Sequence, residues 1–134
     1  MRNEALRWLD EALWDLETAE ILYREGRYNA AAFYAHQAAE KAVKALLYHV
    51  NEAPRGCSVR ALLERYFRKV GSEVNEELLK CARKLDMHYI PSRYPNAHPA
   101  GTPHEAYDEG ISKEALEASR KIVNYVKEVI LSGK

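Results

Sequence analysis

The feature that most constrains the fold is a stripe of small residues between about Tyr28 and Asn51. Its members recur at steps of three and four, the spacing of one face of an α-helix. Because alanines let neighbouring helices approach closely, we expect this helix to lie at the centre of a bundle. The stripe consists of Ala31, Ala35, Ala38, Ala42, Leu46 and Val50.

The same periodicity marks four further segments and predicts an all-α fold of four main helices plus a shorter one. Gly26 is placed to end the first helix, and Ser58 is placed to cap the third. No segment shows the alternation of a β-strand over a useful length. The predicted helices span residues 1–25, 28–51, 58–70, 75–87 and 112–131.

Size and composition exclude several classes of protein. The 134 residues fit one domain, 1–134, and 20 basic side chains balance 20 acidic ones, so no overall field favours nucleic acid. No apolar run reaches the roughly 18 residues of a membrane span, and the first residues lack the apolar stretch of a signal peptide. Two cysteines are too few for a disulfide framework and indicate a reducing compartment. We therefore expect a cytoplasmic protein that contacts no membrane.

Charge is unevenly distributed along the chain. Residues 55–93 carry nine basic and five acidic side chains, a net charge of +4, and the two flanking segments together carry −4. A solvated helix face explains a patch of this size on its own. The patch becomes relevant to function if the same segment also holds a site.

One long loop, 88–111, separates the fourth and fifth predicted helices. It contains four of the five prolines, three of the five histidines and three of the nine tyrosines. Loops of this length inside compact domains are uncommon and are usually functional or disordered. The tyrosines argue against disorder, and the prolines restrict the backbone. We expect a rigid loop that packs on the bundle and carries any site.

Arg93 and His98 are the loop residues best suited to chemistry. An arginine fork can hold a phosphate, and a histidine can transfer a proton at neutral pH. Together they could act on a ribose hydroxyl beside a phosphodiester. The alternative is a surface arginine and a loop histidine that bonds to backbone, and the spacing alone does not exclude it.

Patterns for metal, cofactor and nucleophile sites are missing. The spacings of His88, His98 and His104 match no common zinc pattern, and Cys57 and Cys81 lie in different elements. There is no glycine-rich phosphate loop and no nucleophile elbow. We expect no metal and no cofactor, with Cys81 as a small core residue.

A polar strip lies beside the alanine stripe of the second helix. Gln37, Glu40 and Lys44 are spaced by three and four residues, so Glu40 and Lys44 can pair. The strip is either a solvated or interfacial pairing or a surface beneath a ligand or a second subunit.

The segment from Ala31 to Leu47, AAFYAHQAAEKAVKALL, resembles the second helix of HEPN domains. Ala19, Leu22 and the Gly26-Arg27-Tyr28 run resemble the end of their first helix. The Tyr89–Asn96 run, YIPSRYPN, is similar to the loop of a small, free-standing HEPN subgroup. This resemblance implies an antiparallel, up-and-down bundle that commonly forms homodimers, and a partner that is a small nucleotidyltransferase encoded nearby.

Many HEPN proteins carry an arginine and, after four to six residues, a histidine, and act as metal-independent endoribonucleases across a dimer interface. Arg93 and His98 match that spacing. Active members often have a short polar residue where Tyr94 stands, and toxin members have a tyrosine where Ala100 stands. Two functions therefore stay open: a nucleotide- or RNA-binding partner of a nucleotidyltransferase, as in toxin–antitoxin systems, or a ribonuclease. The residues expected to bind nucleotide or RNA are Gln37, Lys41, Lys44, Tyr94 and Asn96.

Overall fold

A computed structural model describes residues 2–132, and this part of the chain is helical with no strand. The predicted all-α fold is confirmed, and the helix ends differ from the predicted ones by three residues or fewer. The predicted start at Met1 lies outside the described residues. The helices are α1 (Arg2–Arg24), α2 (Tyr28–His49), α3 (Val59–Val70), α4 (Glu76–Asp86), α5 (Pro103–Ala106) and α6 (Glu109–Leu131).

Helix α2 lies at the centre of the bundle, as its alanine stripe predicts. It packs against α1, α3, α4, α5 and α6, and more than half of its side chains are buried. Helix α1 lies against one side of the α2–α6 pair, and the α3–α4 hairpin lies against the other. The described residues thus share one continuous core, with α1 and α4 on opposite faces of the molecule.

The buried face of α1 is centred on alanines rather than on leucines. Ala5, Ala12 and Ala19 are fully buried and let α1 and α2 approach closely. The spacing of Leu6, Leu9, Leu13, Leu16 and Tyr23 predicts one apolar face of α1. That prediction is confirmed at Leu9 and Leu16, which are buried, and is wrong at Leu6, which is 36% exposed.

The segment between α4 and α6 folds onto the bundle and is more regular than expected. A 3-10 turn forms at Pro95–Ala97, and the Thr102–Glu105 pair forms a capping box for α5. Asp108 caps α6 by accepting a hydrogen bond from the Ile111 amide, so α6 begins three residues earlier than predicted. No helix of the described part is long and apolar enough to cross a membrane.

Candidate functional site

The turn at residues 88–94 packs on the N-terminal half of α2. Asn29 Nδ2 donates to the Ser92 carbonyl at 3.0 Å, and Ser92 Oγ donates to the His88 carbonyl at 2.5 Å. Ser92 is almost fully buried, so its polar groups are satisfied inside the protein. These bonds fix the backbone next to Arg93.

Arg93 is held by one hydrogen bond and three aromatic rings. Its Nε donates to the Tyr89 carbonyl at 2.9 Å. The guanidinium carbon lies 4.4 Å from the ring centre of Phe33, 4.6 Å from that of Tyr89 and 4.9 Å from that of Tyr94. Such contacts orient the guanidinium plane. No described residue accepts a hydrogen bond from its two terminal nitrogens, so a fixed fork remains for a ligand.

His98 is tied to the same turn through its ring. Its Nε2 lies 2.7 Å from the Pro91 carbonyl oxygen. Because a carbonyl only accepts, Nε2 carries the proton in the neutral ring, and Nδ1 then has the lone pair. His98 is therefore a loop histidine that bonds to the backbone, and its Nδ1 is still able to accept a proton.

The structure brings Arg93 and His98 to one short stretch of backbone. Their anchoring carbonyls, on Tyr89 and Pro91, are two residues apart in the chain. Tyr94 and Asn96 belong to the same region and are exposed, Tyr94 by 46%. An exposed aromatic ring beside a fixed guanidinium can stack a base while the guanidinium binds a phosphate.

The predicted binding residues of α2 form a second group. Lys41 is paired with the buried carboxylate of Asp15. Lys44 Nζ donates to Glu40 Oε2 at 2.8 Å and lies 5.6 Å from the ring centre of Trp8. Both lysines thus already have anionic partners within the chain. At 1.5 Å per residue they lie roughly 12–17 Å along α2 from Phe33, which contacts Arg93.

Gln37 lies on α2 between Phe33 and Lys41. Its Oε1 is 3.1 Å from Nδ1 of His36, a fully buried residue. The His36 ring centre lies 5.1 Å from that of Tyr89, so His36 links Gln37 to the turn that holds Arg93.

A buried network around Asp86 supports the site and was not predicted from the sequence. His36 Nε2 lies 3.2 Å from Asp86 Oδ1, and the same carboxylate accepts bonds from the amides of Val59 and Arg60 and from the Ser58 hydroxyl. Burial by itself would raise the pKa of Asp86, but these four hydrogen bonds bring the pKa below its usual value. The network joins α2, α3 and the end of α4 at the point where the Arg93 turn begins. The sequence signal for this network is His36, a polar residue among the alanines of α2.

His88 and Tyr107 hold the two ends of the loop together. His88 Nδ1 lies 2.7 Å from the Tyr107 hydroxyl. Burial, with a smaller contribution from nearby His36, lowers the pKa of His88, and burial raises the pKa of Tyr107 to about 12. Both groups are therefore neutral at pH 7 and act as a structural pair.

Within residues 2–132, no three His, Cys, Asp or Glu side chains lie close enough together to hold a metal ion. His88 and His98 are each bonded to other groups of the fold, and His104 bonds to Thr102. The arrangement can bind an anion and an aromatic base, and it offers one ring nitrogen as a base.

Comparison with known proteins supports one family. A family model described as HEPN domain matches residues 5–129. The fold is similar to the crystal structure of TT1696 from Thermus thermophilus, with 39% identity, a TM-score of 0.89, and coverage of 94% of this chain and 98% of that one. It is also similar to ST0689, described as an archaeal HEPN homologue, with 36% identity, a TM-score of 0.80, and coverage of 95% and 98%.

Two further proteins are similar to this chain. A HEPN domain protein of Thermotoga maritima shares 32% identity, with a TM-score of 0.74 and coverage of 94% of this chain and 98% of that one. A protein of Methanocaldococcus jannaschii named "Putative toxin MJ1304" is 27% identical over 123 residues, which cover 87% of this chain and 81% of the other.

Proposed function

The chain belongs to the HEPN domain family, and on that premise we propose that it is a toxin-like protein that binds nucleotides or single-stranded RNA at Arg93. The observation that carries the proposal is the Arg93 guanidinium, fixed by Tyr89 and three aromatic rings with its terminal nitrogens unbonded. A phosphate binds the fork, and a base stacks on exposed Tyr94, within reach of Asn96.

RNA is favoured over duplex DNA because the site combines one fixed arginine with an exposed ring. Stacking needs an unpaired base, which single strands and loops supply. The balanced total charge argues against tight binding that depends on many phosphate contacts. Affinity at this site therefore depends on a few well-oriented groups.

The proposal includes a homodimer and a small nucleotidyltransferase partner, in the cytoplasm. A twofold axis near the loop would bring two Arg93 sites into one cleft. The partner assignment rests on the family and on the toxin-like relative, and the location rests on the two unpaired cysteines.

Titration of a labelled single-stranded RNA into the protein, followed by fluorescence anisotropy, tests the binding site. Arg93→Lys keeps the charge but loses the planar fork, so we expect about tenfold weaker binding. Arg7→Lys, at an exposed arginine of α1, serves as the matched control and should bind like the wild type. Equal affinity of all three proteins would overturn the assignment to Arg93.

A second candidate function is metal-independent RNA cleavage, favoured by the His98 tautomer. Nδ1 of His98 would take the proton of a ribose 2′-hydroxyl, and the oxygen would attack the adjacent phosphorus. The bond to the 5′-oxygen breaks, that oxygen takes a proton from water and leaves as a 5′-hydroxyl, and the other product ends in a 2′,3′-cyclic phosphate. Arg93 would stabilise the charge that grows on the phosphate oxygens.

Incubation of single-stranded RNA with purified protein and excess chelator separates the two functions. A ribonuclease should cleave, and His98→Ala should be roughly 100- to 10,000-fold slower. Equal cleavage by both proteins would point to another residue or a contaminant. Binding without cleavage would leave the binding protein as the function.

A further inference from the structure

The outward face of α1 exposes large apolar side chains. Trp14 is 66% exposed and Ile21, seven residues later, is 45% exposed. Both point away from the buried alanine face of the helix, and Leu13 is half-buried beside Trp14. Large exposed apolar side chains with a polar rim are typical of protein interaction sites.

Three carboxylates surround Trp14. Asp10 and Glu11 lie four and three residues before Trp14, and Glu17 lies three residues after it. At these spacings all three are neighbours of Trp14 on the helix surface. None of the three forms an ion pair with a described residue. Other acidic residues of α1 are paired: Glu4 with Arg7, Asp15 with Lys41, and Glu20 with Arg120. The unpaired carboxylates are thus concentrated at Trp14.

The same residues line a shallow groove. Its volume is about 290 Å³, and its walls are Asp10, Glu11, Leu13, Trp14 and Glu17. A cation placed over an indole face and beside carboxylates is attracted by both. The groove therefore suits a lysine or arginine side chain of a partner better than an apolar or acidic one.

We infer that this face of α1 docks a basic amphipathic helix of a partner protein, with Trp14 as the central contact. Its apolar stripe would cover Trp14 and Ile21, and its basic flanks would pair with Asp10, Glu11 and Glu17. This inference rests on the partner named in the proposed function, and it specifies the face that the partner uses.

Two other occupants fit the observations less well. Nucleic acid and anionic lipid are repelled by three unpaired carboxylates. A second copy would have to offer basic surface, and the most basic helix is α3, which carries four basic side chains and one acidic one and packs against α2 and α4. Contact between two different faces, α1 of one copy and α3 of the other, is head-to-tail and does not close into a dimer.

A designed peptide tests the inference without the natural partner. The probe is a labelled amphipathic peptide of about three heptads, with leucine at a and d and lysine or arginine at e and g. Its comparison peptide carries glutamate at e and g. We expect the basic peptide alone to bind, with an affinity that falls as salt rises.

Variants locate the contact. Trp14→Ala should weaken binding about 30-fold or more, the usual loss at a tryptophan hot spot, and Glu17→Gln roughly two- to fivefold. Met87→Ala removes an equally exposed apolar side chain, 71% exposed, outside α1 and should change nothing. Circular dichroism checks that each variant keeps its helices.

Several outcomes would overturn the inference. They are no binding of the basic peptide to the wild type, equal binding of the acidic peptide, or equal losses for Trp14→Ala and Met87→Ala. Wild-type self-association that Trp14→Ala abolishes would assign the face to a second copy. Arg93→Lys should leave peptide binding unchanged, so failure at the RNA site and failure at this face are distinguishable.

Discussion

Asp86→Ala should destabilise the protein by about 3–4 kcal/mol, although the side chain is partly exposed. The wild-type carboxylate accepts hydrogen bonds from the amides of Val59 and Arg60, from Ser58 Oγ and from His36 Nε2. In the variant, water can accept the hydrogen bonds of the Ser58 hydroxyl and the Arg60 amide, because both residues are half-buried. Val59 and His36 are fully buried, and each orphaned donor costs about 1–3 kcal/mol. Total stabilities of about 5–15 kcal/mol make this a large loss.

Urea denaturation followed by circular dichroism measures the effect. The midpoint should fall while the slope of the transition stays the same. Asp86→Asn keeps one oxygen acceptor and should cost less, about 1–2 kcal/mol. Asp108→Ala is the matched control because Asp108 caps α6 with one exposed bond, and its loss should cost about 1 kcal/mol. A cost below 1 kcal/mol for Asp86→Ala would refute the argument from buried donors.

The same carboxylate makes part of the stability depend on pH. The pKa of Asp86 is lower in the folded protein than in the unfolded chain, because its four hydrogen bonds outweigh the effect of burial. Its contribution is therefore complete above the unfolded pKa, near 4, and is lost as the pH falls through the folded value. The stability difference between wild type and Asp86→Asn should stay constant from pH 7 to about 5 and shrink below about 4. A constant difference down to pH 2 would contradict it.

Three further outcomes follow from the packing. Lys41→Met leaves the Asp15 carboxylate, which is 6% exposed, without its cation. Urea denaturation should show that the free energy of unfolding falls by about 2–3 kcal/mol. The loss is smaller than for a fully buried pair because Lys41 is 25% exposed. Exposed Cys57 should react with a thiol reagent in the native protein. Cys81 should react only after denaturation, because it is buried and burial raises the pKa of its thiol. The number of thiols counted by spectroscopy should therefore rise from one to two on denaturation. Gly71 ends α3 at φ +68°, so Gly71→Ala should cost about 1 kcal/mol by thermal denaturation, even though nothing crowds the new methyl group.

The sequence predicts the helices well because each one buries a face that repeats every three or four residues. It also identifies α2 as the central helix, since only an alanine stripe allows several neighbours to pack closely. Helix α5 is missed because four residues contain no periodic pattern, although the Thr102–Glu105 capping box was present in the sequence. Leu6 is wrongly expected in the core because it continues the leucine spacing of α1, whereas the contact with α2 is centred on Ala5, Ala12 and Ala19.

The candidate site is predictable only in part, for a related reason. The proline-rich loop isolates Arg93, yet Phe33, which stacks on it, comes sixty residues earlier in the chain. His36 and Asp86 are likewise fifty residues apart and meet only through the packing of α2 and α4. Asp15 looks like an ordinary surface acid on α1 until its pairing with Lys41 is seen. Helical periodicity describes one element at a time, whereas these contacts depend on how the elements are arranged.

The balanced composition of the chain conceals two faces of opposite character. Residues 55–93, with a net charge of +4, lead to the Arg93 site, whereas the unpaired carboxylates of α1 surround Trp14 on the other side of the α2–α6 pair. The α1–α2 contact lies between these faces, because Arg93 contacts Phe33 of α2 and Trp14 points away from the buried face of α1. Salt screens exposed charges over a Debye length of about 8 Å at physiological ionic strength, so each ligand responds mainly to the charges next to it. A neutral total charge does not prevent the loop from binding an anion while α1 binds a basic partner, and neither ligand should displace the other.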